Sequence, residues 1–199
     1  VMLGFSDGPK DGGYLMANWA IYRAKEDLTA ISRQSGVEVI FFDGRGGPPA
    51  RGGGDTYLFY AAMGKKIESN QIQMTVQGQT ISTFYGIKEA AVHNMSQLLM
   101  AGLENNLYDR AERELDDEQR ALMEALALSS YRTYEAFKQH SLFLPYLEEM
   151  STLNYYAMTN IGSRPAKRGT TRKLKFEDLR AIPFVGAWSQ LKQNVPGFY

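Results

Sequence analysis

Val37-Glu38-Val39-Ile40-Phe41-Phe42 runs directly into Asp43-Gly44-Arg45-Gly46-Gly47-Pro48-Pro49-Ala50-Arg51-Gly52-Gly53-Gly54. Val37 to Phe42 is β-branched, aromatic and almost uncharged, which predicts a buried parallel strand. From Phe42 to Gly54, six of thirteen residues are glycine, two are proline and two are arginine. Glycine tolerates positive φ and close backbone approach, so such a loop folds tightly and exposes N–H groups. Arginine adds a planar fork matched to carboxylate and phosphate oxygens. The pattern points to an oxyanion cradle at a strand end; the alternative is a basic surface loop without a ligand.

Working outward from the loop, Tyr14 to Gln34 has helical periodicity, with Leu15, Trp19, Tyr22, Leu28 and Ile31 on or near one face. Arg23, Lys25, Glu26 and Asp27 are expected mostly off that face, and Gly36 is the stop. Val1 to Phe5 is a short apolar run, which predicts a strand. Strand, helix and strand make a βαβ unit, so the expected fold class is α/β and helix-rich. Between the first strand and the helix lies Ser6-Asp7-Gly8-Pro9-Lys10-Asp11-Gly12-Gly13, a polar turn. Asp7 and Lys10 there suit a cation and an anionic substrate; the simpler reading is a surface turn whose aspartate caps the helix.

Beyond the loop, Thr56 to Met63 predicts a short helix and the alternating Gln71 to Val76 a third strand. A helix follows over about 87–107, with Val92, Met95, Leu99, Leu103 and Leu107 as its apolar side. Asp116 or Asp117 is placed to cap another helix, from about Glu118 to Gln139. Leu122, Leu126, Ser129, Thr133 and Phe137 line one side of it. A further helical turn begins at Ser141. Gly162-Ser163-Arg164-Pro165-Ala166-Lys167-Arg168 is a second basic loop, and Arg180 edges an apolar pattern over 176–188.

Composition narrows the functions. The 199 residues carry 22 Lys+Arg and 22 Asp+Glu, so the formal charge is zero. That balance argues against a nucleic-acid partner or a polybasic membrane surface. There is no cysteine, which removes disulfides and thiolate metal sites and favours a reducing, cytoplasmic location. His93 and His140 stand alone, without a second ligand at metal-binding spacing. No apolar run reaches the roughly 18 residues that span a bilayer. Because the chain opens straight into an apolar strand, a segment of a longer protein is expected.

Four stretches now carry a resemblance. Val1-Met2-Leu3-Gly4-Phe5-Ser6-Asp7-Gly8-Pro9-Lys10-Asp11-Gly12-Gly13, Phe42 to Gly53, Gly162 to Arg168, and Leu179-Arg180-Ala181-Ile182-Pro183-Phe184 together resemble phosphoenolpyruvate carboxylase, in the family's order and across nearly the whole chain. The resemblance implies that residues 1–199 are a partial catalytic region, cut from a (β/α) barrel with additional helices. It also implies that the N-terminal half and extreme C-terminus of the family are absent.

The family's activity is conversion of phosphoenolpyruvate and bicarbonate to oxaloacetate and phosphate, an anaplerotic carbon fixation, with Mg²⁺ or Mn²⁺ and a homotetrameric parent. By resemblance, Asp7 is a metal ligand whose acidic partner lies upstream. Lys10 orients substrate, Arg45 and Arg180 hold the transferred phosphoryl group, Arg51 lies toward substrate and bicarbonate, and Arg164 lines the same site. Asp43 departs from the family, which usually has histidine there to assist carboxylation. Its extra negative charge is expected to pair with Arg45 or Arg51, unless the mechanism has changed. Phe5 and Gly8 replace the usual Tyr and Ser, and Thr75-Val76-Gln77-Gly78-Gln79 replaces a more acidic stretch. The rival function is a non-catalytic module that binds phosphoenolpyruvate or another phosphate ester. The isolated segment is expected to be inactive.

Overall fold

In the computed structural model, residues 1–107, 114–156, 158 and 174–199 are described. The second basic loop, Arg164 included, lies outside them. Three short parallel strands form one sheet in the order β1-β2-β3: β1 Met2–Leu3, β2 Phe41–Asp43 and β3 Ile72–Met74. Met2 pairs with Phe42 and Leu3 with Asp43; on the other side Phe41 pairs with Ile72 and Asp43 with Met74. β2 is therefore the middle strand, as its apolar composition requires. Its last residue, Asp43, is where the glycine loop begins. All three expected strands are present but shorter, residues 37–40 falling outside β2 with Val37 exposed, and the fold is a helix-rich α/β arrangement.

Among the described residues nine helices surround this sheet. The polar turn after β1 is itself helical, α1 Asp7–Gly12, and Asp7 sits in its first turn rather than capping anything. α2 Tyr14–Gln34 has the expected bounds. Its inner face differs from expectation. Trp19 is buried and stacks on Tyr22 at 5.7 Å, but Ile31 is exposed and Lys25 is buried instead. Tyr22, Lys25 and Thr29 follow at three- and four-residue intervals, so helical geometry brings Lys25 inward whatever its charge.

α3 Thr56–Ala61 begins at Asp55, whose side chain accepts from Leu58 N–H. α4 Gln79–Tyr85 follows β3, and α5 Lys88–Leu107 comes next. The expected apolar side of α5 is not its buried side: Val92, Met95, Leu99, Leu103 and Leu107 are all exposed. α5 instead packs on α3 with Ala101 and Asn105 buried, and Asn105 Nδ2 donates to Tyr60 O at 2.7 Å. A small side chain lets the two backbones approach, and this contact determines the orientation of α5.

α6 Asp117–Lys138 starts with a capping box in which Asp116 and Gln119 satisfy each other's backbone N–H. Here too the larger leucines, Leu122 and Leu126, are exposed, and Ala127 and Tyr134 are buried. α6 lies along α2, joined by a two-pronged bond from Arg120 to Glu26 at 2.6 and 2.7 Å. α7 Phe143–Met150, α8 Leu153–Tyr156 and α9 Ala181–Gln190 enclose a second core of Phe143, Leu147, Phe184, Val185 and Trp188. Ala50 of the glycine loop is buried in this core, whereas Phe41 and Tyr60, before and after the loop, belong to a separate core with Ala61, Met63, Ile67 and Ala101. The loop therefore bridges the two cores. No helix among the described residues is long and apolar enough to cross a membrane.

Candidate functional site

The glycine loop closes on itself. Gly46 N–H donates to Arg51 O at 2.8 Å, and Arg51 and Gly53 N–H both donate to Pro48 O at 2.9 Å. Gly52 N–H donates to Pro49 O at 2.9 Å across a single 3-10 turn, Pro49–Arg51. These N–H groups were candidates for binding an oxyanion and are instead taken up within the loop. Two glycines are required by that packing. Gly52 has φ +78°, and a Cβ there would lie 2.5 Å from Phe5 Cβ. At Gly53 a Cβ would fall 1.8 Å from Gly47 O. The third strand's exit also holds the loop, because Gln77 Nε2 donates to Arg45 O at 3.2 Å.

Gly46, Arg51, Gly52 and Gly53 N–H are thus engaged, and the charged donors of the site are guanidinium groups. Arg45 is buried; its Nε donates to Gly52 O at 2.8 Å and its plane lies 4.1 Å from the centroid of Phe59. Its Nη1 is buried without a partner. Arg51 is half-buried, and its Nε is likewise without a partner. Arg180 occupies the N-cap position of α9, half-buried, and its Nε is the third such nitrogen. Three of the seven buried side-chain polar atoms lacking a partner among the described residues thus belong to these three arginines. A buried, unmatched cationic donor is costly, so it marks a place where an anion would be stabilised. Burial pulls the Arg45 and Arg51 pKa values down; Tyr60 and Asp43 oppose this at Arg45, and Asp7 opposes it at Arg51. α9 packs against both α1 and the Pro49–Arg51 turn, which brings the elements bearing Arg180, Asp7, Lys10 and Arg51 together.

Lys10 is buried, bonded to Asp11, and lies 4.2 Å above the Phe176 ring in the 3-10 turn that leads to Arg180. Asp7 is exposed, and no group of three or more His, Cys, Asp or Glu side chains among the described residues could hold a metal ion. A hard carboxylate oxygen suits Mg²⁺, which takes only one or two protein carboxylates. Asp7 is an exposed carboxylate of that kind, and the described residues do not complete a cage around it.

Asp43 does not pair with either arginine as expected. It is fully buried, and its Oδ2 accepts from Lys25 Nζ at 2.7 Å and Tyr60 Oη at 2.9 Å. Neither partner was singled out from the sequence. The 22–25–29 spacing in α2 carried the signal for Lys25, but its charge argued outward. Burial lowers the Lys25 pKa, opposed by the attraction of Asp43, and burial and then Asp43 raise that of Tyr60.

A parallel strand edge closed by a glycine loop, with unmatched buried guanidinium nitrogens, belongs to a helix-rich α/β protein. The family model described as phosphoenolpyruvate carboxylase matches residues 1–199, and the chain belongs to that family. It is 39% identical over 199 residues to the phosphoenolpyruvate carboxylase of Corynebacterium diphtheriae, covering 22% of that protein. It is 41% identical over 202 residues to that of Corynebacterium glutamicum and 40% over 200 residues to that of Roseiflexus castenholzii, covering 22% and 21% of them. All of this chain is aligned in each case, and it spans about a fifth of the length of these curated relatives.

Proposed function

We propose that this segment supplies one wall of the active site of a phosphoenolpyruvate carboxylase, a cytoplasmic carboxy-lyase acting on phosphoenolpyruvate and bicarbonate in a homotetramer. Residues 1–199 are then part of its catalytic region, and the three parallel strands are part of a (β/α) barrel closed by chain outside the segment. The observation that supports this most directly is the set of unmatched buried nitrogens on Arg45, Arg51 and Arg180.

Phosphoryl transfer from phosphoenolpyruvate to bicarbonate spreads negative charge over the moving oxygens, and fixed guanidinium donors stabilise that charge without reorganising. Arg45, clamped by Gly52 O and Phe59, and Arg180, fixed at the start of α9, hold the phosphoryl oxygens. Arg51 and Arg164 act on the substrate and bicarbonate side. Lys10 orients substrate from α1. Asp43 contributes as a fixed charge under the loop. Asp7 supplies one oxygen ligand to a Mg²⁺ or Mn²⁺ ion, which when bound adds Lewis-acid stabilisation of anionic oxygens.

The test is bicarbonate-dependent oxaloacetate formation by the full-length protein carrying this segment, with Mg²⁺ and a coupled reductase. Turnover is expected, and Arg45→Ala and Arg180→Ala should each lower kcat/KM by roughly a hundredfold or more. Absence of turnover in the full-length protein would overturn the reaction. The 199 residues alone should show none, because they span only about a fifth of the relatives' length.

A further inference from the structure

A carboxylate removed from water needs compensating charge and hydrogen bonds. At Asp43 the compensation is one-sided: Lys25 and Tyr60 both reach Oδ2, and Oδ1 has no partner. Lys25 is enclosed as completely. The ring centroids of Phe41, Phe59, Tyr60 and Phe5 lie 5.2, 5.6, 5.8 and 6.0 Å from its Nζ. Two residues after Asp43, Arg45 lies against the same Phe59 at 4.1 Å. Asp43 and Arg45 attract each other electrostatically, yet Arg45 Nε is bonded to Gly52 O and its Nη1 to nothing. One buried carboxylate thus lies among two buried cations and is bonded to only one of them.

We propose that Lys25 is a positioning residue for the site: by holding Asp43, it keeps that carboxylate from capturing Arg45, whose Nη1 stays free for a phosphate oxygen. This rests on Arg45 being an oxyanion donor, as proposed above. Without the ammonium, Asp43 is a buried anion that still attracts Arg45, and in a weakly screened interior that attraction is strong. The guanidinium then turns toward Asp43. With Asp43 neutralised as well, nothing draws it inward.

The experiment compares Lys25→Met with Asp43→Asn and Lys25→Met/Asp43→Asn in the full-length protein, reading calorimetric affinity for inorganic phosphate and the thermal midpoint. Lys25→Met should weaken phosphate binding roughly ten- to a hundredfold, the loss of about one charge-assisted bond. The double variant should recover most of that loss, although it carries one more change. A merely structural role predicts that any loss of phosphate affinity follows a fall in the thermal midpoint in both variants, whereas a positioning role predicts a loss in Lys25→Met beyond what the midpoint accounts for. Phosphate affinity within twofold of the unmodified protein for Lys25→Met would overturn the proposal. If Lys25→Met does not fold, the double variant, which has no unpaired buried carboxylate, still decides. Affinity of the double variant equal to that of Asp43→Asn supports the proposal, because Lys25 then matters only while Asp43 is charged, and a further loss relative to Asp43→Asn at an unchanged midpoint overturns it. Unmodified protein that binds phosphate but does not turn over phosphoenolpyruvate removes the proposed reaction alone. Failure to bind phosphate at all removes both.

Discussion

At the residue scale, the loop depends on side chains that are absent as much as on those present. A Cβ at Gly53 would overlap the carbonyl of Gly47, which is rigid backbone rather than a flexible side-chain tip. Gly53→Ala should therefore break the turn that carries Arg51 and destabilise the protein by about 2 kcal/mol or more, measured by denaturant titration. Gly102 is the opposite case: it lies inside α5, and a Cβ there meets nothing within 4 Å. Gly102→Ala should stabilise by roughly 0.5–1 kcal/mol in the same experiment. Among the cations, the positions of Arg45 and Arg51 in the glycine loop and of Arg180 at the edge of an apolar pattern were legible in the sequence. Lys25 was not. A lysine in a helix is ordinarily solvated, and only the partner buried on the next strand, Asp43, makes its inward position favourable.

At the scale of elements, the α2–α6 contact rests on a carboxylate in an unusual state. Burial opposes ionisation of Glu26, but the two-pronged bond from Arg120 outweighs it and holds its pKa below the usual 4.5. A depressed carboxyl pKa stabilises the fold above the unfolded value and loses that contribution as pH falls through the folded value. Stability should therefore decline more steeply below about pH 4.5 in the unmodified protein than in Glu26→Gln. At neutral pH that variant should be less stable by roughly 1–3 kcal/mol, measured by denaturant titration. Element positions were largely legible, because the periodicity of α2 and the capping aspartate of α6 are local signals. Helix orientation was not. α5 and α6 carry leucine stripes that look like core, but the structure buries Ala101 and Ala127 and leaves the stripes exposed. Which face packs depends on the partner element, and no local pattern records that.

At the scale of the whole molecule, those exposed stripes and the short open sheet set the behaviour of the segment. Val92, Met95, Leu99, Leu103 and Leu107 lie at helical spacing on one solvent-facing side of α5. The isolated 199 residues should self-associate in sedimentation experiments, and Leu99→Glu with Leu103→Glu should reduce that association. The parallel order of the strands was legible, because strand, helix and strand in succession allow few alternatives. What the strands close into was not, since the chain is about a fifth of its relatives' length. The central claim is that the unmatched nitrogens of Arg45, Arg51 and Arg180 receive an anionic substrate. It is tested most directly by titrating phosphoenolpyruvate calorimetrically onto the full-length protein and onto Arg45→Ala, Arg51→Ala and Arg180→Ala. Each substitution is predicted to weaken binding by about tenfold or more. Affinities within twofold of the unmodified protein for all three would contradict it.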